Sequence, residues 1–345
     1  MHPGPTNSLL DVAGLRVGHH TVRGDGWLTG TTVVLTPDGG ATAGVDVRGG
    51  GPGTRETDLL DPRNVIDRVD AVVLSGGSAY GLAAADGVMR CLADADRGHR
   101  VGPRAGEVVP IVPAAVVFDL GRGGSFGNRP DGGFGIAAYA ASAGLSPAQG
   151  VVGAGTGAVA GGLKGGVGTA SAVLADGTTV AALVVVNAVG STVDPLTGEL
   201  YGARFGLPGE FAVTVPAAAE VTAARASAAG SGPGFAPPPV LATTIGVIAT
   251  DAALGKAQCA KVAGVGHDGL ARAIRPVHSM MDGDTLFALA TGGRAAVLHD
   301  LLTAAADCVT RAVVHAMLAA TTVTTPAGTW RSYADAFPSA LPAGR

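Results

Sequence analysis

The stretch Ala242-Thr243-Thr244-Ile245-Gly246-Val247-Ile248 divides the chain into two kinds of sequence. Upstream, residues 216–241 are rich in Ala, Ser, Gly and Pro and contain Gly230-Ser231-Gly232-Pro233-Gly234 and Pro237-Pro238-Pro239. That composition suits a surface linker, part helical and part extended. Downstream, β-branched residues dominate, which is strand composition. A linker that feeds straight into a strand opening with Thr-Thr is a place where a backbone break is both exposed and tolerated.

Working outward, further β-branched runs occur at Thr31–Leu35, Ala71–Leu74, Ala114–Phe118 and Thr179–Val186, besides Thr243–Ala249 itself. Most are continuously apolar rather than alternating, which predicts sheets covered on both faces. Helices are predicted over Ala79–Ala93, Asp251–Ile274 and Ala295–Ala320. In the last, Val297, Leu301, Ala305, Cys308, Val309, Ala312 and Val313 recur about every 3.6 residues, the pattern of a core-packing helix.

The 345 residues include 56 glycines and 21 prolines, well above ordinary usage. They are spread among apolar runs, which excludes a disordered chain, and there is no strict G-X-Y period. The length admits one large domain or two medium ones. A net charge of −4, from 23 basic and 27 acidic residues with no large acidic block, is not that of a nucleic-acid binder. Cys91, Cys259 and Cys308 lie far apart, against both a zinc ribbon and a disulfide scaffold. Residues 1–20 lack a basic region followed by an apolar one, and no run of about 20 apolar residues is free of charge, Gly or Pro. The expectation is a soluble cytoplasmic protein with no membrane span.

Several motifs carry possible chemistry. Gly76-Gly77-Ser78-Ala79-Tyr80-Gly81 is a near miss to a G-x-S-x-G nucleophile elbow, and Ser78 as a helix N-cap explains it more cheaply. Gly161-Gly162-Leu163-Lys164-Gly165-Gly166 is not a P-loop, because Gly follows the lysine. Lys164 is either a cation approached closely by backbone or a lysine on a surface loop. Asp282-Gly283-Asp284 could offer two carboxylates to a metal, but no third ligand stands at a telling spacing, and a turn with solvated acids fits the local sequence better. His19, His20 and His278 have no metal spacing either and read as structural. Asn187 closes an apolar run; its amide either shapes a turn or donates to an oxyanion.

Taken in order, the motifs resemble those of the DmpA family of autoprocessed hydrolases, which includes the L-aminopeptidase/D-esterase, the β-peptidyl aminopeptidases and the nylon-oligomer amidases. The resemblance covers nearly the whole chain. It runs through Asp11–His19, Gly50-Gly51-Pro52-Gly53-Thr54-Arg55-Glu56-Thr57-Asp58, Gly76–Leu82, Val109–Pro113, Leu163–Ser171, Thr243–Asp251 and Asp282–Thr285. Each motif is modest alone; the full series is specific. Within the family it resembles actinobacterial hydrolases and the threonine-nucleophile, nylon-oligomer branch.

The resemblance implies an α+β fold, an αββα sandwich of two stacked sheets flanked by helices. It implies a single domain, residues 1–345, cut by the chain itself between Ala242 and Thr243 into an α chain (1–242) and a β chain (243–345), with 216–241 as the linker before the cut. Thr243 would be the N-terminal nucleophile of an amide hydrolase. Lys164 would stand beside it, Asn187 would face the oxyanion, and Asp282 and Asp284 would orient the nucleophile. No cofactor or metal is implied. The partner would be a small peptide or amide substrate, with no nucleic acid and no membrane, and the assembly a homo-oligomer, a tetramer of αβ units. Two other readings stay open: an acyltransferase of the ornithine acetyltransferase type, and an unprocessed, non-catalytic scaffold or binding protein.

Overall fold

Alternate residues of the apolar strands go to opposite faces. Ala181, Leu183 and Val185, with Ile245, Val247 and Ala249, enter one core. Val180, Ala182 and Val184, with Ile248, enter another. A sheet buried on both faces needs a layer on each side. The computed structural model describes residues 1–142, 148–229 and 241–342 and supplies those layers.

In chain order, the strands of the two large sheets in the first half are β1 (Arg16–Gly24), β2 (Trp27–Leu35), β3 (Ala41–Val47), β4 (Thr54–Arg55), β5 (Arg68–Val69), β6 (Ala71–Ser75) and β7 (Ala114–Val116). Those of the second half are β8 (Gly166–Val173), β9 (Thr179–Val186), β10 (Ile245–Ala252) and β11 (Thr285–Arg294). One sheet has the order β1-β2-β6-β7-β4, the other β8-β9-β10-β11-β3-β5. Helices α1 (Ala84–Asp94) and α2 (Gly132–Ala141) cover the first sheet. After α3 (Ala218–Ala229), helices α4 (Lys256–Ala273) and α5 (Leu298–Ala319) cover the second. The central core lies between the sheets. This is the αββα sandwich.

Within the second sheet the pairing is antiparallel except between β10 and β11, which run parallel with Ile245 opposite Thr285. α4 makes the crossover a parallel pair requires. By length and hydropathy α5 could cross a bilayer, but 72% of its apolar window is buried inside the protein, so its residues serve the core.

Several boundaries differ from the sequence reading, and those that bear on the site are these. β10 starts at Ile245 and runs to Ala252, because the Thr244 N–H is taken by the Asp284 side chain. Asp251 and Ala252 thus belong to the strand, and α4 starts only at Lys256. The helix expected from Ala79 opens as a tight 3-10 turn, Ser78–Ala83, with Gly77 at φ 81° and Ser78 at φ 52°. Ser78 makes no side-chain cap, so the N-cap reading is corrected. Within the segment expected to be a linker, α3 is helical, while residues 230–240, with both the Gly- and the Pro-rich motif, lie outside the described residues.

A buried charge cluster ties the layers together. Arg311 of α5 is fully buried; its Nε and Nη2 donate to Glu210 at 2.6 and 2.8 Å, and its Nη2 and Nη1 donate to Asn7 Oδ1 and the Ser171 carbonyl. His315 also bonds Glu210. Removing the carboxylate strands a buried guanidinium, so Glu210→Ala should cost about 3 kcal/mol or more, read as a lower urea midpoint.

Candidate active site

The sheet topology gathers the singled-out residues at one end. β9 runs antiparallel to β10, so Asn187, one residue beyond β9, lies against Thr243, two residues before β10. The Thr243 N–H donates to the Asn187 carbonyl at 2.6 Å. β11 runs parallel to β10, so its leading residues Asp282 and Asp284 fall beside Ala242 and Thr244. β8 opens opposite the end of β9, which brings Lys164 to the same end.

The Ala242–Thr243 peptide is held from two sides. Thr243 Oγ1 lies 2.5 Å from the Ala242 carbonyl oxygen, and the Gly283 N–H donates to that oxygen at 3.2 Å. The Ala242 N–H donates to the Met281 carbonyl at 3.1 Å. Thr244 points its hydroxyl elsewhere, into the interior, without a hydrogen-bond partner. A cleft of about 110 Å³ opens beside this peptide; Gly51, Pro52, Ser78, Val116, Phe118 and Met281 are among its lining residues.

Both carboxylates are 1% exposed, so the solvated-turn reading of Asp282-Gly283-Asp284 is corrected. Asp284 accepts the Thr244 N–H at 2.7 Å through Oδ1, and the His278 N–H and Nδ1 at 3.1 and 2.8 Å through Oδ2. Asp282 accepts the Val189 N–H and both the N–H and hydroxyl of Ser279. Gly283 between them must be glycine: a Cβ there would lie 2.5 Å from the Gly51 carbonyl oxygen and 2.9 Å from Thr243 Oγ1.

Lys164 is fully buried, which discards the surface-loop reading. Its Nζ donates to the carbonyls of Gly155, Ala158 and Gly165 at 3.1, 2.6 and 2.8 Å. Burial, then the charges of Arg122 and Arg23, push its pKa well below the ordinary lysine value, against the pull of Asp119. No hydrogen bond joins Lys164 to Thr243 among the described residues; the link runs through the Gly-rich loop. Lys164 grips Ala158, and Asn187 Oδ1 accepts the N–H of the next residue, Val159, at 3.0 Å. Asn187 Oδ1 also accepts from Arg122 at 2.5 Å, while its Nδ2 donates to the Phe118 carbonyl at 3.3 Å.

The sequence reading missed Arg122 and Asp119, and it took His278 only as a structural histidine. Burial lowers the Arg122 pKa to about 10 and raises that of Asp119, whose Oδ1 accepts the Gly77 N–H at 2.7 Å. Asp119 and Arg122 follow the apolar run Ala114–Phe118, the same strand-end position that marks the other site residues. His278 sits at φ 55°, an unusual value for a non-glycine residue, six positions before the aspartate it serves. No group of three or more His, Cys, Asp or Glu side chains that could hold a metal occurs among the described residues.

Fold and family define a hydrolase that acts on amide bonds. The model of peptidase family S58 matches residues 7–331, and the chain belongs to that family. An uncharacterized aminopeptidase of Mycobacterium tuberculosis is 52% identical, over 97% of this chain and 99% of its own length. A 6-aminohexanoate-oligomer endohydrolase of Paenarthrobacter ureafaciens is 31% identical over 84% of this chain and 80% of its own. Among solved structures, a Burkholderia sp. beta-aminopeptidase superposes with a TM-score of 0.75 at 24% identity, covering 99% of this chain and 96% of its own. The L-aminopeptidase D-Ala-esterase/amidase of Ochrobactrum anthropi gives 0.70 at 22%, covering 96% and 92%. At such identities the structural likeness is one of fold.

His267 packs edge-on against His278, 4.7 Å between centroids, and donates from Nε2 to the Asp46 carbonyl. Burial pushes its pKa from 6.5 down to about 4. Between those values the unfolded chain binds a proton that the folded chain does not, so stability rises with pH through this window and is lost as pH falls. His267→Gln, which keeps a donor for Asp46, should flatten the fall in Tm between pH 6.5 and 4.

Proposed function

We propose that this chain is a self-processing aminopeptidase or amidase that uses Thr243 as its nucleophile. The observation that carries the reading is the Thr243 hydroxyl 2.5 Å from the carbonyl oxygen of its own preceding peptide, with the Gly283 N–H on the same oxygen. In self-cleavage, Oγ1 bonds to the Ala242 carbonyl carbon and the C–N bond to Thr243 breaks. The hydroxyl proton passes to the departing nitrogen, leaving an ester. Water then hydrolyses the ester, releasing the Ala242 carboxylate and regenerating the Thr243 hydroxyl beside the amine that the first step freed. That amine, with a reference pKa of about 7.7–8.0, serves as general base for its own hydroxyl near neutral pH. Turnover repeats the chemistry on an external amide through an acyl-enzyme.

The other residues take supporting parts in this reading. The Asn187 carbonyl, which holds the Thr243 N–H, is set to accept from the amine that cleavage creates. One Asn187 Nδ2 hydrogen goes to Phe118, and the second is the donor an oxyanion role requires. Lys164 brings positive charge to the loop that Asn187 grips. Asp282 and Asp284 fix the strand leader on either side of the nucleophile and balance the cations of the site. Association of processed units into a homo-oligomer belongs to the same reading.

Intact mass of freshly purified protein under denaturing conditions tests it. Two fragments, one ending at Ala242 and one beginning at Thr243, are expected; a fragment beginning at Thr244 would move the nucleophile by one residue. Thr243→Ala should stay a single folded chain and hydrolyse nothing. Gly283→Ala keeps every catalytic group but crowds Oγ1, so self-cleavage followed on a gel should slow about a hundredfold.

A further inference from the structure

The chain's own junction shows how a substrate's acyl half is gripped. Around Asp282 the strand leader forms a parallel bridge with Ala242. The Met281 carbonyl accepts the Ala242 N–H at 3.1 Å, and the Gly283 N–H donates to the Ala242 carbonyl at 3.2 Å. Two backbone groups thus read one residue at two points, the nitrogen on its α-carbon and the carbonyl that reacts. Ala242 itself is 3% exposed, so this pairing is shielded from water.

Self-cleavage and turnover pass through the same kind of species, an ester on Thr243 Oγ1. The acyl carbonyl of that ester therefore occupies one position in both. Once Ala242 leaves, the Met281 carbonyl and the Gly283 N–H stand without the partners they have here. We propose, on the self-processing reading above, that they form the acyl-recognition subsite. It selects substrates with an N–H on the carbon next to the reacting carbonyl, that is, α-aminoacyl amides.

The selection follows from bond counting. An α-aminoacyl group places its nitrogen where Ala242 places its own, two bonds from the carbonyl carbon. A β-aminoacyl group sets it one carbon further along, and a 6-aminohexanoyl group four carbons further. A simple acyl group has none. Each of these leaves the Met281 carbonyl desolvated and unpaired, a cost larger than the net worth of the hydrogen bond itself. Side chains do not take over the task. Besides the six residues named above, the cleft is lined by Gly53, Ala79 and the junction residues Leu241–Thr243, and among the described residues this lining carries no carboxylate to capture an amine elsewhere.

The test uses the mature enzyme with three p-nitroanilides of nearly equal size: alanyl, propionyl and β-alanyl. The expected result is kcat/KM at least about tenfold lower for both propionyl and β-alanyl than for alanyl. A propionyl or β-alanyl rate within threefold of alanyl, or no turnover of any of the three by a fully cleaved enzyme, overturns the subsite and leaves self-processing standing. A chain that stays intact, its mass unchanged, overturns the self-processing reading and the subsite with it.

Discussion

The parallel pairing of β10 with β11 is the constraint on which the rest of the site depends. Two antiparallel neighbours would send their leading residues to opposite ends of the sheet. Parallel register puts Ile245 beside Thr285, and so sets Ala242-Thr243-Thr244 alongside Asp282-Gly283-Asp284. Everything at the junction follows from that neighbourhood: the Gly283 N–H on the Ala242 carbonyl, the Asp284 carboxylate on the Thr244 N–H, the Met281 carbonyl on the Ala242 N–H. α4 is what makes the pairing possible, since it carries the chain back over the sheet between the two strands.

The other half of the site depends on how closely backbone can approach a buried cation. Among the described residues Lys164 has no carboxylate partner; three carbonyls surround it instead. They reach it because the loop is made of small residues. A Cβ at Gly155 would meet the Val167 nitrogen at 2.4 Å, one at Gly157 the Leu28 carbonyl oxygen at 2.4 Å, and one at Gly165 the Val186 carbonyl oxygen at 2.0 Å. Glycine at these positions lets β8, β9 and the loop close on one another around the amine. The same compaction places the Val159 N–H on Asn187, so one loop couples the cation to the residue that holds Thr243.

What the sequence showed and what it hid divide along a physical line. Apolar runs marked β9, the start of β10 and α5, because burial on both faces leaves a local imprint. The site residues were legible as polar groups next to such runs: Asn187 one residue past β9, Lys164 two before β8, and Asp282 and Asp284 just before β11. Their burial was not legible, since it comes from which strands are neighbours. Two aspartates flanking a glycine look like a solvated turn until the sheet places both 1% exposed. Arg122 escaped, and the place of His278 at the site stayed hidden, for the same reason. Their partners are Asn187, 65 residues away, and an aspartate reached only through a left-handed backbone turn. The run at 243–249 was right in kind, but the strand starts two residues later, because the contacts of the junction itself delay it, and it runs on to Ala252.

That shift explains how one geometry can serve two reactions. Ala242 keeps ladder-type bonds to the strand leader at Asp282, and the Thr243 N–H keeps one to the Asn187 carbonyl, but the Thr244 N–H leaves the ladder, so the regular strand starts two residues late. The Thr244 N–H goes to a carboxylate, the Thr243 N–H goes to Asn187, and the Ala242 carbonyl turns to meet both Gly283 and the threonine hydroxyl. On the proposed reading, Ala242 is therefore held as an acyl donor while still covalently part of the chain, and the precursor is its own enzyme–substrate complex. Binding an external amide then asks nothing new of the fold: it refills the backbone groups that the chain's own peptide held first, and the selectivity of the mature site is inherited from the residue that was cut.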